Sequence, residues 1–98
     1  MSSQNPKVDG ALRELADVLS QLKPAEVSEV FDALLTPQER AKIALRWKLV
    51  CLLEKGETQR SIAAQLGVSL CKITRGSHEL KYGPAGFKKA IRKAVLKG

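Results

Sequence analysis

The chain has 98 residues, and its 17 Lys plus Arg against 10 Asp plus Glu give a net charge of +7. This length allows one domain, residues 1–98, and the lack of an apolar run near 18 residues excludes a membrane-spanning helix. One histidine and two cysteines without a CxxC pair offer too few ligands for zinc, so we expect no metal.

The charge is distributed unevenly along the chain. Residues 1–40 contain 4 basic and 7 acidic side chains, whereas residues 41–98 contain 13 basic and 3 acidic ones. A strongly basic half favours a polyanionic partner. The first six residues lack the basic and apolar blocks of a signal peptide, so we expect a cytoplasmic protein without a membrane partner. Its two cysteines are expected to be reduced and partly buried, and one disulfide is the alternative.

The N-terminal part predicts two amphipathic helices. Residues 1–8 are polar and expected to be flexible. Leucines at steps of 3, 4 and 3 predict a first helix over about 9–22. Pro24 separates it from a second helix over about 25–35.

A third helix has a strong start signal, because Thr36 and Glu39 form a capping box around a proline. It is predicted over about 37–55, and Gly56 supplies the left-handed residue that ends it. Its apolar residues are expected to face the core: Ile43, Trp47, Val50 and Leu53. Trp47 is interpreted as a core residue rather than as a mimic of a bound ligand.

Residues 58–81 have the spacing of a helix-turn-helix. Thr58 and Ser69 are N-cap residues, Gly67 supplies a turn with a positive φ angle, and Ala63 allows close helix crossing. Four apolar anchors face the core: Ile62, Leu66, Val68 and Ile73. Four early positions of the second helix would then face the DNA major groove: Leu70, Cys71, Lys72 and Thr74. An ordinary helical hairpin is the alternative.

The C-terminal segment 84–96 follows a break at Gly83 and Pro84, and its helix is predicted from about residue 85. Its apolar residues are assigned to the core: Phe87, Ile91 and Val95. Its lysines are left open between a solvated face and phosphate contacts. The sequence thus predicts an all-α chain of six helices.

Several of these segments resemble the bacterial tryptophan repressor family, over about residues 25–96. The resemblance is dense in residues 34–81, and its most specific run is Ile73–Ser77. It is also carried by Leu34–Arg40, Arg46, Gly56–Glu57, Gln59–Arg60 and Leu80–Lys81. It implies an intertwined homodimer with a dimer core at residues 9–56, double-stranded palindromic operator DNA as partner, and L-tryptophan as corepressor. It implies no other cofactor, and a bacterial cytoplasmic location.

The resemblance also implies a ligand site between the dimer core and the helix-turn-helix at residues 58–81, which is the reading head that contacts DNA. Arg46 and Arg75 would sandwich the indole, Arg75 would also face the carboxylate, and Gly76 would leave room for the ring. Without the resemblance, Arg46 would be interpreted as an ordinary exposed charge on a helix, and Arg75 as a residue that binds a DNA phosphate.

The remaining implied ligand contacts come from the segment before the third helix. Thr36 of the other subunit would lie near the carboxylate, and the carbonyls of Ala33 and Leu35 would accept from the ammonium. Glu79 departs from the family, since it replaces a serine that helps to hold the ammonium.

Seven residues are implied to lie at or near the operator: Gln59, Arg60, Leu70, Cys71, Lys72, Thr74 and Lys81. Lys72 replaces a threonine of the family's reading helix, and Cys71 is interpreted as a small filler rather than an oxidation sensor. The alternative functions are a related DNA-binding regulator with a different effector or none, and a basic RNA-binding or nucleoid protein. The sequence has no evident nucleophile–base pair or carboxylate dyad, so we do not expect an enzyme.

Overall fold

A computed structural model describes residues 5–97, which form six helices and no strand. In chain order they are α1 (Pro6–Leu19), α2 (Pro24–Leu34), α3 (Pro37–Glu54), α4 (Gln59–Leu66), α5 (Leu70–Tyr82) and α6 (Ala85–Lys97). The predicted all-α class with six helices is confirmed. Among the helices described, none combines the length and apolar character needed to cross a bilayer.

The start of α1 differs from its predicted position near residue 9. The Asn5 side chain accepts from the amides of Lys7, at 3.0 Å, and Val8, at 3.4 Å, and a proline occupies the first helical position. This N-cap starts the helix at Pro6, inside the segment 1–8 expected to be flexible. Residues 1–4 of that segment lie outside the described residues.

The chain divides into two compact units, Met1–Arg40 and Ala41–Gly98. The division falls within α3, at the position where the charge composition changes. The first unit therefore holds the excess of acidic residues, and the second unit holds the excess of basic residues.

The first unit has no buried residue among its described positions, 5–40. Five of its apolar side chains are between 46% and 60% exposed: Val8, Leu12, Val18, Phe31 and Leu34. Its ion pair, Arg40 to Asp32 at 3.0 Å, joins side chains more than half exposed and contributes little stability. Within one chain, this unit lacks a core of its own.

The capping box at the start of α3 is confirmed. The Glu39 amide donates to Thr36 Oγ1 at 3.1 Å, and the Thr36 amide donates to Glu39 Oε1 at 2.9 Å. Two otherwise unpaired amides at the helix start are thereby satisfied.

The second unit has a core built from four helices. The buried residues Leu49–Leu52 of α3 pack with one fully buried isoleucine from each later helix, namely Ile62, Ile73 and Ile91. The prediction that Ile43 and Trp47 also face the core is wrong for this unit, because they are 48% and 42% exposed. The buried core reaches only the C-terminal half of α3, while the apolar stripe continues beyond it.

The helix-turn-helix geometry follows the predicted pattern. Gly67 has φ +65° and ψ +34°, and its amide donates to the Ala63 carbonyl at 2.9 Å. Thr58 Oγ1 accepts from the Ser61 amide at 3.1 Å, and Ser69 Oγ from the Lys72 amide at 3.3 Å. Three residues, 67–69, therefore turn the chain from α4 into α5.

Candidate ligand cavity and nucleic-acid interface

The first turn and a half of α5 presents an exposed face. Ile73 is fully buried and fixes the helix against the core, whereas Leu70, Cys71, Lys72 and Thr74 are exposed. Lys81, in the last turn of the same helix, is also exposed. A helix anchored on one side with free side chains at its N-terminal end has the form that enters a major groove.

The N-terminal end of α4 carries the other two predicted DNA residues, Gln59 and Arg60, which are both exposed. A polar network lies along the same helix. Glu57 Oε1 accepts from Ser61 Oγ at 3.0 Å and from Gln65 Nε2 at 3.1 Å. In this network the Glu57 carboxylate binds two neutral donors.

A cavity of about 500 Å³ opens beside this reading head, entirely within the second unit. Its lining comes from α3, the α4–α5 turn, α5 and α6: Lys42, Ile43, Leu45, Arg46, Trp47, Leu49, Val50, Val68, Lys72, Arg75, Gly76, Glu79 and Phe87. Four of the residues predicted to bind ligand, Arg46, Arg75, Gly76 and Glu79, share this one cavity. Lys72, predicted to contact DNA, lines it as well.

The cavity lining combines apolar residues with an excess of positive charge. Four cations, Lys42, Arg46, Lys72 and Arg75, line it together with a single carboxylate, Glu79. Trp47 adds an aromatic surface to the lining, and because it is 42% exposed, its side chain is not buried in the core of the second unit. This arrangement suits a ligand with a planar apolar body and a negatively charged group.

Sequence reasoning missed several lining residues that helical spacing identifies once Arg46 is placed. Lys42 precedes Arg46 by four residues, and Leu49 and Val50 follow it by three and four, so all lie on one face of α3. Phe87 carried no such signal, because its position depends on how α6 packs against the core.

Gly76 has a packing role in addition to lining the cavity. A Cβ atom at this position would lie 2.5 Å from Leu49 Cδ2, and 3.5 Å from Val50 Cγ2. A side chain here would therefore force α5 and α3 apart, and glycine permits their close approach.

The other three predicted ligand residues belong to the first unit. Ala33 lies in the last turn of α2, Leu35 is the extended residue that follows it, and the Thr36 hydroxyl accepts from Glu39. The carbonyls at the end of a helix have no partner within that helix, which makes this segment a source of acceptors. The assignment of these three residues to a ligand stays a prediction.

The two cysteines are free and differ in environment. Cys51 is buried and Cys71 is exposed, so the expected partial burial of both thiols holds only for Cys51. Burial raises the pKa of the Cys51 thiol from its ordinary 9.0, and the nearby Lys48 and Lys55 oppose this rise. Over the described part of the chain, no three His, Cys, Asp or Glu side chains are grouped to hold a metal ion.

The sequence of this chain is similar to the sequences of known proteins from one family. The model of the Trp repressor protein family matches residues 11–95. A Trp operon repressor homolog of Chlamydia trachomatis serovar L2 is 39% identical over 70 residues, which cover 70% of this chain and 74% of that relative. The homolog of Vibrio cholerae serotype O1 is 35% identical over 86% of this chain and 84% of its own length. The homolog of Chlamydia caviae is 40% identical over 81% and 80%, respectively.

Proposed function

Since the chain belongs to the Trp repressor protein family, we propose that it is a homodimeric, DNA-binding transcriptional repressor with L-tryptophan as corepressor. The observation that carries this proposal is the presence, in one unit, of an exposed helix-turn-helix face and an adjacent cavity lined by Arg46 and Arg75. No catalytic role is part of the proposal.

Support for duplex DNA as partner comes from charge and from shape. Residues 41–98 hold 13 basic and 3 acidic side chains, which attract a phosphate backbone. The exposed N-terminal residues of α5 suit the width of a major groove. Gln59 and Arg60 at the start of α4 extend the same set of exposed polar groups.

Support for L-tryptophan comes from the chemistry of the cavity. Its volume of about 500 Å³ lies in the range of small-molecule sites. In the proposed complex, Arg46 and Arg75 stack on the indole, Arg75 pairs with the ligand carboxylate, and Gly76 lies against the ring. The Glu79 carboxylate and the carbonyls of Ala33 and Leu35 accept from the ligand ammonium. Thr36 of the second subunit lies near the ligand carboxylate.

Support for a homodimer comes from the first unit, which has no buried residue among positions 5–40. Apolar side chains such as Leu12 and Leu34, 56% and 60% exposed, would gain stability if a second copy covered them. Sedimentation equilibrium is expected to give twice the 10.7 kDa of one chain. A stable, folded monomer would contradict this part of the proposal.

Titration calorimetry with L-tryptophan tests the ligand. Arg46→Ala and Arg75→Ala are expected to weaken binding at least tenfold, whereas Lys48→Ala, an exposed α3 cation outside the cavity, leaves it unchanged. The absence of saturable heat up to about 1 mM, with the protein folded, would exclude tryptophan as the ligand.

A second titration, with indole-3-propionate, isolates the role of Glu79, because this compound lacks the ammonium group. Glu79→Gln is expected to weaken tryptophan binding about 10- to 100-fold, the range for losing a charged hydrogen-bond partner, and not to weaken indole-3-propionate binding. Equal effects on both compounds would show that Glu79 does not accept from the ammonium.

A regulator with another effector is the second candidate, and it is favoured by the four cations that line the cavity with only one carboxylate. A ligand with more negative charge than zwitterionic tryptophan would suit that balance. Binding of indole-3-propionate with no binding of tryptophan would identify this alternative.

Selection from a random duplex pool tests the DNA function. We expect a palindrome whose half-sites are about one helical turn apart, preferred over unrelated duplex by roughly 10³-fold or more. Arg60→Ala is expected to cost about 1–3 kcal/mol on the selected site if it contacts guanine. Equal affinity for every duplex and for RNA would instead indicate a non-specific nucleic-acid-binding protein.

A further inference from the structure

The C-terminal helix α6 has two opposite faces of different chemistry. One face is apolar and packs into the core of the second unit: Ile91 is fully buried, and Phe87, Ala94 and Val95 are partly buried against it. The other face carries five basic side chains: Lys88, Lys89, Arg92, Lys93 and Lys97. Helical spacing of four places them in two adjacent rows along the outer side.

This basic face contains no acidic residue, and Lys97, in the last turn, is the member whose charge suits the helix dipole. Arg92 and Lys93 each lie four residues from another cation, an arrangement that destabilises a helix. The first turn of α6 lacks an acidic residue and instead contains a lysine, opposite to the preference of the helix dipole. A solvated helix surface usually alternates positive and negative side chains, so an all-basic face indicates an anionic partner.

The basic face begins where the reading helix α5 ends. Lys88 Nζ donates to the Lys81 carbonyl at 2.7 Å, in the last turn of α5. Lys81 is one of the residues proposed to lie near DNA, so the cations of α6 continue from that end of the reading helix. The C-terminal end of a reading helix is a position from which proteins contact the DNA backbone.

The packing of α6 favours nucleic acid over a membrane. A basic amphipathic helix binds lipid by inserting its apolar face, but the apolar face of α6 is used in the protein core. Only its positive charges remain available, together with Leu96, which is 87% exposed. Charges alone suffice for contacts with phosphates.

We propose that the outer face of α6 binds the phosphate backbone of duplex DNA beside the operator half-site and supplies affinity that does not depend on base sequence. This inference rests on the proposed DNA-binding function and extends it. In this arrangement α5 reads bases in the groove, while α6 holds the flanking backbone.

The test uses a variant of the full chain with four exposed cations of α6 removed: Lys89→Gln, Arg92→Gln, Lys93→Gln and Lys97→Gln. A control variant loses the same charge from exposed positions elsewhere: Lys7→Gln, Arg13→Gln, Lys23→Gln and Lys48→Gln. Fluorescence anisotropy then gives the affinity for the duplex selected with the wild type, and for an unrelated duplex, over a series of salt concentrations. Circular dichroism confirms that both variants fold.

Each phosphate contact contributes about 0.9 to the slope of log affinity against log salt. Because the proposed dimer carries two copies of α6, the variant loses eight cations per dimer. If two to four of these contact phosphates, its slope is expected to be shallower by about 2 to 3.5 on both duplexes, so that between about 50 and 200 mM salt it loses 10- to 100-fold less affinity than the wild type. The control variant keeps a slope close to that of the wild type.

Equal slopes for the two variants would overturn the α6 proposal and leave the proposed repressor intact, because removing charge from α6 would then have no greater effect than removing it elsewhere. An unchanged duplex slope, combined with loss of binding to anionic phosphatidylserine vesicles or to RNA, would assign α6 to a different partner and also overturn it. Failure of the wild type to bind any duplex would overturn the proposed function, and the α6 proposal with it.

Discussion

Replacing Gly76 by alanine tests how closely the reading helix approaches α3. Two opposing effects set its magnitude. Alanine is favoured over glycine within a helix by about 1 kcal/mol. Against this, the new Cβ would lie 2.5 Å from Leu49 Cδ2, and Leu49 is only 3% exposed, so its side chain has little room to move.

Overpacking of this kind costs about 1–3 kcal/mol. After the gain in helix propensity is subtracted, Gly76→Ala is expected to lower the free energy of unfolding by about 0–2 kcal/mol. Gly10→Ala is the matched control, because Gly10 is also inside a helix and no atom lies within 4 Å of the position of its Cβ. That variant is expected to be more stable than the wild type by up to about 1 kcal/mol.

Urea denaturation at fixed protein concentration measures both variants, and the difference between them should be about 1–3 kcal/mol. Calorimetry with L-tryptophan supplies a second readout, since Gly76 also lines the cavity. If Gly76→Ala stabilises the protein as much as Gly10→Ala does, α5 does not pack closely on α3 at this position, and the reasoning fails.

Three further predictions concern the core, the turn and a buried thiol. Ile73→Ala should lower the free energy of unfolding by about 2–5 kcal/mol, because Ile73 is fully buried. Leu70→Ala, at a 57% exposed position, should lower it by at most about 0.5 kcal/mol. Similar losses for both variants in urea denaturation would contradict the assigned orientation of α5. Gly67→Ala should cost about 1–2 kcal/mol from the backbone alone, because φ is +65° and no atom lies near the added Cβ, and an unchanged urea midpoint would count against this. Burial raises the pKa of the Cys51 thiol above 9.0 in the folded protein, so the thiol loses its proton at a lower pH in the unfolded protein. The free energy of unfolding is therefore expected to be constant below about pH 9 and to decline as the pH rises above 9. Cys51→Ala should remove that decline relative to Cys71→Ala, as measured by urea denaturation between about pH 8 and 10.

The helix boundaries were predictable because their signals are local. The Thr36–Glu39 box, the Gly67 turn and the Ser69 cap each depend on a few neighbouring residues, and all three were assigned from sequence. Asn5 carried an equally local signal that was overlooked, since it precedes a proline at the first helical position.

Burial was harder to predict than helix position. The stripe on α3 that includes Ile43 and Trp47 is apolar throughout, yet the core of the second unit reaches only from Leu49 onward. Periodicity identifies an apolar face but not what covers it, because that depends on elements distant in sequence. The cavity residue Phe87 was missed for the same reason.

The position of Leu49 and Val50 connects the cavity to the reading head. Both side chains are buried in the core that holds Ile73 of α5, and both also line the cavity. A ligand that fills the cavity therefore contacts the side chains that position α5, and it also lies beside Lys72, whose backbone amide is bound by the Ser69 cap at the start of that helix. Because protein interiors are closely packed and transmit displacements, we expect the orientation of α5 and the filling of the cavity to be coupled through these contacts. This shared wall gives the proposed corepressor a direct physical route to the DNA-reading face.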